Sequence, residues 1–219
     1  MQIYFVRHGK TEWNLEQRFQ GAHGDSPLLP QSWADITKLG GYLARTEFTA
    51  IYTSPLRRAF DTAQGLKVSL GTQLPIIAAA SLREFDLGRM EGLTFDEACV
   101  EYPQQVHDLW QAPDEYDGQA IGGEDYSEVI ARGCKFGRAV AQRYPGSEDK
   151  VLAVSHGAAL SAIMGGLLAY PLKDIRCNGG LSNTSLTILE TNDQGASFRL
   201  VIWNETSFLD RKMEGTDSL

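Results

Sequence analysis

Three times along the chain a short apolar run breaks off into polar residues and then into a helix-like pattern. Ile3-Tyr4-Phe5-Val6 stops at Arg7-His8-Gly9, Ala50-Ile51-Tyr52-Thr53 at Ser54-Pro55, and Val151-Leu152-Ala153-Val154 at Ser155-His156-Gly157. Runs without apolar/polar alternation suit strands buried on both faces. After the second run, Leu56, Ala59, Phe60, Ala63 and Leu66 recur at helical spacing. Ser54 is placed to cap that helix, with Pro55 as its first residue. Further helices are predicted over 32–46 and 125–143. Ser185–Glu190 and Ser197–Trp203 flank Asn192-Asp193-Gln194-Gly195 and predict a hairpin. The expected fold class is α/β, a three-layer α/β/α sandwich around a mostly parallel sheet. In such sheets ligands bind at the carboxyl ends of the strands, so the three polar turns should open onto one crevice.

The 219 residues fit one domain, 1–219. Within it, residues 90–131 stand apart: they hold 11 Asp and Glu, no Lys or Arg, and prolines at 103 and 113 that break any long helix. This stretch reads as an inserted cap of short helices and loop. The tail from Arg211 is polar and reads as loose.

No run is apolar for long enough to span a bilayer, the best being Ala158 to Ala169 with Gly165-Gly166 inside it. No signal peptide fits before the first strand. Cys99, Cys134 and Cys177 form no CxxC pair and read as reduced packing thiols of a cytoplasmic protein. A formal net charge of −8 argues against nucleic acid or an anionic membrane as partner. It also means that an anionic substrate must be drawn by a local group of cations.

The three turns supply such a group. Two bring a histidine followed by glycine, and the third brings Arg57-Arg58. Packing gives no reason to gather cations at a sheet edge, but phosphoryl transfer does, since its charge spreads over three equatorial oxygens. The arginine fork matches such oxygens in pairs. A neutral imidazole can attack phosphorus and carry it as phosphohistidine, and neighbouring guanidiniums favour the neutral ring. A leaving alkoxide needs a proton, and Leu82-Arg83-Glu84-Phe85-Asp86-Leu87-Gly88 offers Glu84 and Asp86. The residues alone do not choose between them.

Ile3-Tyr4-Phe5-Val6-Arg7-His8-Gly9 with Thr11, Trp13 and Asn14 is similar to the signature of the histidine phosphatase superfamily, in the branch that includes cofactor-dependent phosphoglycerate mutases. So are Ser54-Pro55-Leu56-Arg57-Arg58-Ala59 with Thr62-Ala63, Leu82-Arg83-Glu84 with Gly88 and Glu91-Gly92, and Ser155-His156-Gly157. The order matches, over most of residues 1–190. The resemblance implies His8 as the phosphorylated nucleophile and Glu84 as the proton donor, with Asp86 supporting at most. It implies Arg7, Arg58, His156 and Gly157 around the phosphate, and Asn14, Gln20 and Gly21 in a loop closing over it. It implies no metal and no organic cofactor, and a small-molecule phosphate ester as partner, with a monomer and a homodimer both open. Two departures stand out: Lys10, where an acidic residue or glutamine is usual, should make the pocket more cationic, and Leu29-Pro30-Gln31-Ser32 strays from the usual helix start.

Reaction type is then read from charge. A mutase must hold a second anionic group, and an acidic cap without cations is ill suited to that. Hydrolysis of a phosphomonoester whose remainder is neutral, cationic or apolar is favoured, with Tyr102, Trp110 and Tyr116 as an aromatic wall. Lys10, Arg18, Arg83 or Arg89 would restore the mutase alternative. Two rivals remain: a binuclear metallohydrolase using His8, His156, Glu84 and Asp86, and a non-catalytic phosphate-binding module. His23 and His107 lie outside every motif and read as surface or local hydrogen-bonding residues. Gly122-Gly123-Glu124 reads as a turn into an acidic first helical turn.

Overall fold

The computed structural model describes residues 1–211 and 214–217. Six strands form one sheet: β1 (Gln2–Arg7), β2 (Ala50–Thr53), β3 (Ile76–Ala78), β4 (Lys150–Ser155), β5 (Leu186–Glu190) and β6 (Arg199–Glu205). Their order is β3-β2-β4-β1-β5-β6. The first four are mutually parallel, and β5 runs against both β1 and β6. The mostly parallel sheet and the late hairpin are as expected.

Side chains alternate across the sheet, and each face has its own core. Ile3, Phe5, Val151 and Ala153 point to one side, where α6 (Tyr126–Arg143) and α7 (Gly157–Leu167) pack. Tyr4, Val6, Leu152 and Val154 point to the other, against α2 (Pro30–Tyr42) and α3 (Arg57–Ser69). Strands apolar at every position are thus covered twice, which gives the three layers. Helices α6 and α7 come close because small residues meet at their crossing. A Cβ on Gly133 would lie 2.1 Å from Ile163, and one on Gly166 2.6 Å from Ile130.

Helix boundaries shift slightly. α2 begins with Pro30, whose missing N–H is no loss at a first helical position, so the departure at 29–32 is a legitimate helix start. α3 begins at Arg57 rather than Pro55, and Ser54 is not a conventional cap: its Oγ accepts from Leu56 N at 3.3 Å. Residues 90–131 hold α4 (Phe95–Glu101), α5 (Pro103–Gln111), connecting turns and the first residues of α6, so the stretch runs into a helix of the outer layer rather than ending in loop. At Gly122-Gly123 the chain turns and α6 follows with Asp125 and Glu128 in a capping box.

The tail differs from expectation. Arg211 pairs with Asp35 and Asp217, and the fully buried Asp217 also meets Lys10 at 3.2 Å. A polar segment is held here by ion pairs, which an apolarity pattern does not register. Lys212, Met213, Ser218 and Leu219, which also fall in that expected loose tail, lie outside the described residues.

Candidate active site

Strand register sets the site. Arg7 pairs with Ser155 and Thr53 with Val154, so the ends of β1, β4 and β2 lie side by side at the carboxyl edge. His8, His156 and Ser54 follow these ends directly. The rings of His8 and His156 meet edge to face with centroids 5.1 Å apart. His8, Arg7 and Arg58 line a pocket with Asn14, Glu84 and Gly157, and the loop residues Gln20 and Gly21 also line it. His156 lies behind His8, fully buried.

His8 Nδ1 is 2.7 Å from the carbonyl of Gly9. A carbonyl only accepts, so Nδ1 carries the proton. Burial, then the charges of Arg58 and Arg7, hold the ring's pKa well below its ordinary value. The ring is therefore neutral and Nε2 has a free lone pair. Burial, reinforced by Arg58, also keeps His156 neutral. Its Nε2 lies 2.7 Å from Ser54 Oγ, while Nδ1 is buried without a partner.

Both guanidiniums are held by backbone carbonyls. Arg7 Nη1 donates to Leu181 O and Asp217 O. Arg58 donates to Gly24 O at 2.9 Å, Gly21 O at 2.8 Å and Asp25 Oδ1 at 3.1 Å. The Nε of each is buried and unpartnered. Burial lowers the Arg7 pKa to about 10 and that of Arg58 in the same direction, yet both stay charged. Arg57 turns outward to Asp61, which leaves Arg58 as the pocket arginine. Buried N–H groups without acceptors around one cavity cost free energy until an oxyanion supplies them.

Of the two candidate acids, Glu84 is in the pocket and Asp86 is not. Glu84 Oε1 accepts from Ala159 N at 2.7 Å, which fixes the carboxylate over the N-terminus of α7. Asp86 is occupied by His23 and by Gly88 N. The metal-ligand set of the rival reading is thus dispersed: Asp86 faces elsewhere, and two guanidiniums crowd the imidazoles.

Asn14 Oδ1 accepts from Thr11 N and Oγ1 and from Asn183 Nδ2, leaving the NH2 half of the amide for the pocket. Gln20 is committed at both ends, to Thr11 and Ser26, so its side chain braces the loop. Gly21 has φ of +59°, and a Cβ there would meet Glu91 Oε1 at 2.1 Å.

The outer wall comes from Phe19, Leu87, Phe95, Leu109 and Trp110. Of the three predicted aromatics only Trp110 is there. Tyr116 packs on Phe85 and Tyr126, and Tyr102 lies under Arg89. Lys10 does not enrich the pocket, because Asp217 and Glu214 pair with it. Among the four proposed extra cations, Arg18 alone lines the cavity.

No acid of segment 90–131 lines it. Glu91 accepts three successive loop N–H groups, Ala22, His23 and Gly24. Glu97 caps α4, Asp108 holds Gln104, and Glu124 pairs with Arg132. The charge count of the segment misstates the charge of its inner face, because these carboxylates are engaged in turns and caps.

Several supports had no sequence signal beyond ordinary composition. Arg132 donates to the carbonyls of Ser81, Arg83 and Glu84, fixing the segment that carries the acid. Asn183 and Thr184 brace the backbone of residues 7 and 8. Thr62, by contrast, belongs to the motif that begins at Ser54, and its Oγ1 accepts from Gly9 N. His23 and His107 are exposed, paired with Asp86 and Asp108.

Comparison with known proteins gives the same constellation a lineage. An uncharacterized phosphatase, PhoE, of Bacillus subtilis (strain 168) is 33% identical over 162 residues, covering 74% of this chain and 75% of the relative. A 2,3-bisphosphoglycerate-dependent phosphoglycerate mutase of Brucella canis is 33% identical over 165 residues, 74% and 79% of the two chains. The chain spans 54% of the length of mycobacterial relatives that it matches at 32% identity. The solved structure of Bacillus stearothermophilus YhfR superposes with a TM-score of 0.87 at 34% identity, over 95% of this chain and 99% of that one. The model of the histidine phosphatase superfamily (branch 1) matches residues 3–206, and the chain belongs to that family.

Proposed function

We propose that the protein hydrolyses small phosphomonoesters through a phosphohistidine on His8. One observation carries this: a neutral imidazole with a free Nε2 opens onto a pocket around which Arg7 Nε, Arg58 Nε and His156 Nδ1 are buried without partners. That is a receptor for three oxygens set around a nucleophile.

In the first step Nε2 attacks phosphorus, the P–O bond to the leaving alkoxide breaks, and Glu84 delivers the proton. In the second, Glu84 takes a proton from water, which displaces His8 and releases phosphate. Arg7, Arg58 and Asn14 stabilise the equatorial charge in both steps. His156 joins them if Ser54 Oγ–H donates to its Nε2, which places the ring proton on the free Nδ1. Gln20 and Gly21 shape the loop, and Gly157 lets Arg7 lie close, since a Cβ there would sit 3.2 Å from Arg7 Nε. No step calls for a metal or organic cofactor.

Hydrolysis is favoured over transfer because the outer pocket is mostly apolar. A second phosphate needs a cluster like the first, and Arg18 is already engaged with Glu16 and the Gly92 carbonyl. Segment 90–131 acts as the cap, its Phe95, Leu109 and Trp110 excluding water from the reacting centre. Three cysteines without a disulfide suit the reducing cytoplasm.

The test is rapid quenching with labelled p-nitrophenyl phosphate, followed by product analysis with 3-phosphoglycerate and its bisphosphate. An acid-labile phosphoenzyme should form and be absent from His8→Ala. Phosphoryl exchange without phosphate release would replace hydrolysis by the mutase reaction.

A further inference from the structure

Arg7 is held by a segment that lies beyond the residues 3–206 that match the family. Its Nη1 donates to the carbonyl of Asp217 at 3.0 Å, as well as to that of Leu181. The same Asp217 carbonyl receives the N–H of Asn183 at 2.8 Å, and the Asn183 amide donates in turn to His8 O and Asn14 Oδ1. One backbone oxygen, 210 residues from Arg7 in sequence, thus joins a pocket guanidinium to the brace of the nucleophile.

Charge keeps this oxygen in place. The Asp217 carboxylate is fully buried, and Arg211 grips both its oxygens at 2.8 and 3.1 Å. Lys10 Nζ lies 3.2 Å from Asp217 Oδ1 and donates to Thr216 Oγ1 at 2.6 Å and Glu214 Oε2 at 3.2 Å. A buried carboxylate and a buried ammonium are stable only when each meets opposite charge and hydrogen bonds, so the pair fastens the turn 214–217 to the domain. Lys10 is also where the chain departs from the usual signature. It adds nothing to the pocket lining, and its partners lie outside the matched range. The two departures belong together.

An arginine acts on phosphoryl oxygens through direction as much as through charge. With Nη1 tied to two carbonyls the guanidinium cannot swing, and its unpartnered Nε keeps one orientation. We propose that Asp217 is a positioning residue for Arg7: the turn 214–217, fastened by Lys10 and Arg211, supplies the carbonyl that orients the guanidinium for the phosphoryl group. The proposal rests on the reading of Arg7 as a phosphate ligand.

The sign of the effect separates positioning from charge. Asp217→Ala removes a negative charge near the pocket, which by electrostatics alone should tighten the binding of an anion. Lost positioning should do the reverse. Vanadate binding to the full chain, titrated calorimetrically, should weaken tenfold or more in Asp217→Ala. Asp217→Asn, which keeps an acceptor for Lys10 and Arg211, should lose less and serves if the alanine variant does not fold. In an Arg7→Ala background the same Asp217 substitution should change affinity less than twofold, because nothing is left to orient. Equal weakening in both backgrounds would show a merely structural role and overturn the assignment, as would affinity unchanged or raised in both Asp217 variants. Vanadate affinity that survives Arg7→Ala would remove Arg7 as a phosphate ligand and the proposal with it, a result distinct from failure of the turn alone.

Discussion

At the scale of single residues, the site works because protonation states are set by surroundings rather than by residue type. His8 is neutral because it is buried among arginines, and its proton is placed by the Gly9 carbonyl. Glu84 is selected over Asp86 by position: one carboxylate faces the cavity, the other faces His23. Glu84→Gln keeps an oxygen for Ala159 N but has no proton to give as an acid. Turnover of alkyl phosphates, whose leaving groups are poor, should fall at least ~100-fold, the ordinary scale of general acid catalysis. With p-nitrophenyl phosphate the loss should be much smaller, because that oxygen departs without help. Comparing kcat for the two esters decides the matter, and equal losses would remove Glu84 from the role.

At the scale of elements, precision comes from loops tied to carboxylates and carbonyls. The loop of residues 20–24 carries two carbonyls that hold Arg58, and the loop in turn hangs on Glu91. Glu91 does not line the pocket; it positions the loop that does. Glu91→Ala should loosen Arg58 and weaken vanadate inhibition roughly tenfold, about 1.4 kcal/mol. Glu91→Gln, which retains an acceptor oxygen, should lose less. Inhibition constants unchanged in both would show that the loop keeps its shape without this anchor. Glu91 was visible in the sequence only as part of a motif. Its role was not, because the His23 N–H it receives lies 68 residues away.

For the molecule as a whole, burying two neutral histidines beside two guanidiniums ties stability to pH. The folded-state pKa values of His8 and His156 lie well below 6.5. Between those values and ~6.5 the unfolded chain binds more protons, so acid favours unfolding. Their contribution is complete above pH ~6.5 and is lost as pH falls toward the folded values, each ring costing up to ~1.4 kcal/mol per pH unit. Urea unfolding at pH 7.5, 6.5 and 5.5 should show this decline. A free energy flat across that range would mean that the rings accept protons in the folded state. The net charge of −8 is also a property of the whole, and it is spent on caps, turns and the Asp217–Arg211–Lys10 ion pairs rather than on the cavity.

Sequence alone determined the layers and the chemistry at the strand ends. Doubly apolar runs must be covered on both faces, and the polar turns after them must then share one edge, so Arg7, His8, Arg58 and His156 were readable together. Tertiary structure decided everything that depends on which way a side chain faces and on what meets it from afar. Eleven acids within 90–131 looked like a repulsive lid because a count has no direction, and folding turned them away from the cavity. Asp217 and Arg132 carried no local pattern, since the groups they hold come from segments tens of residues distant and only packing brings them together.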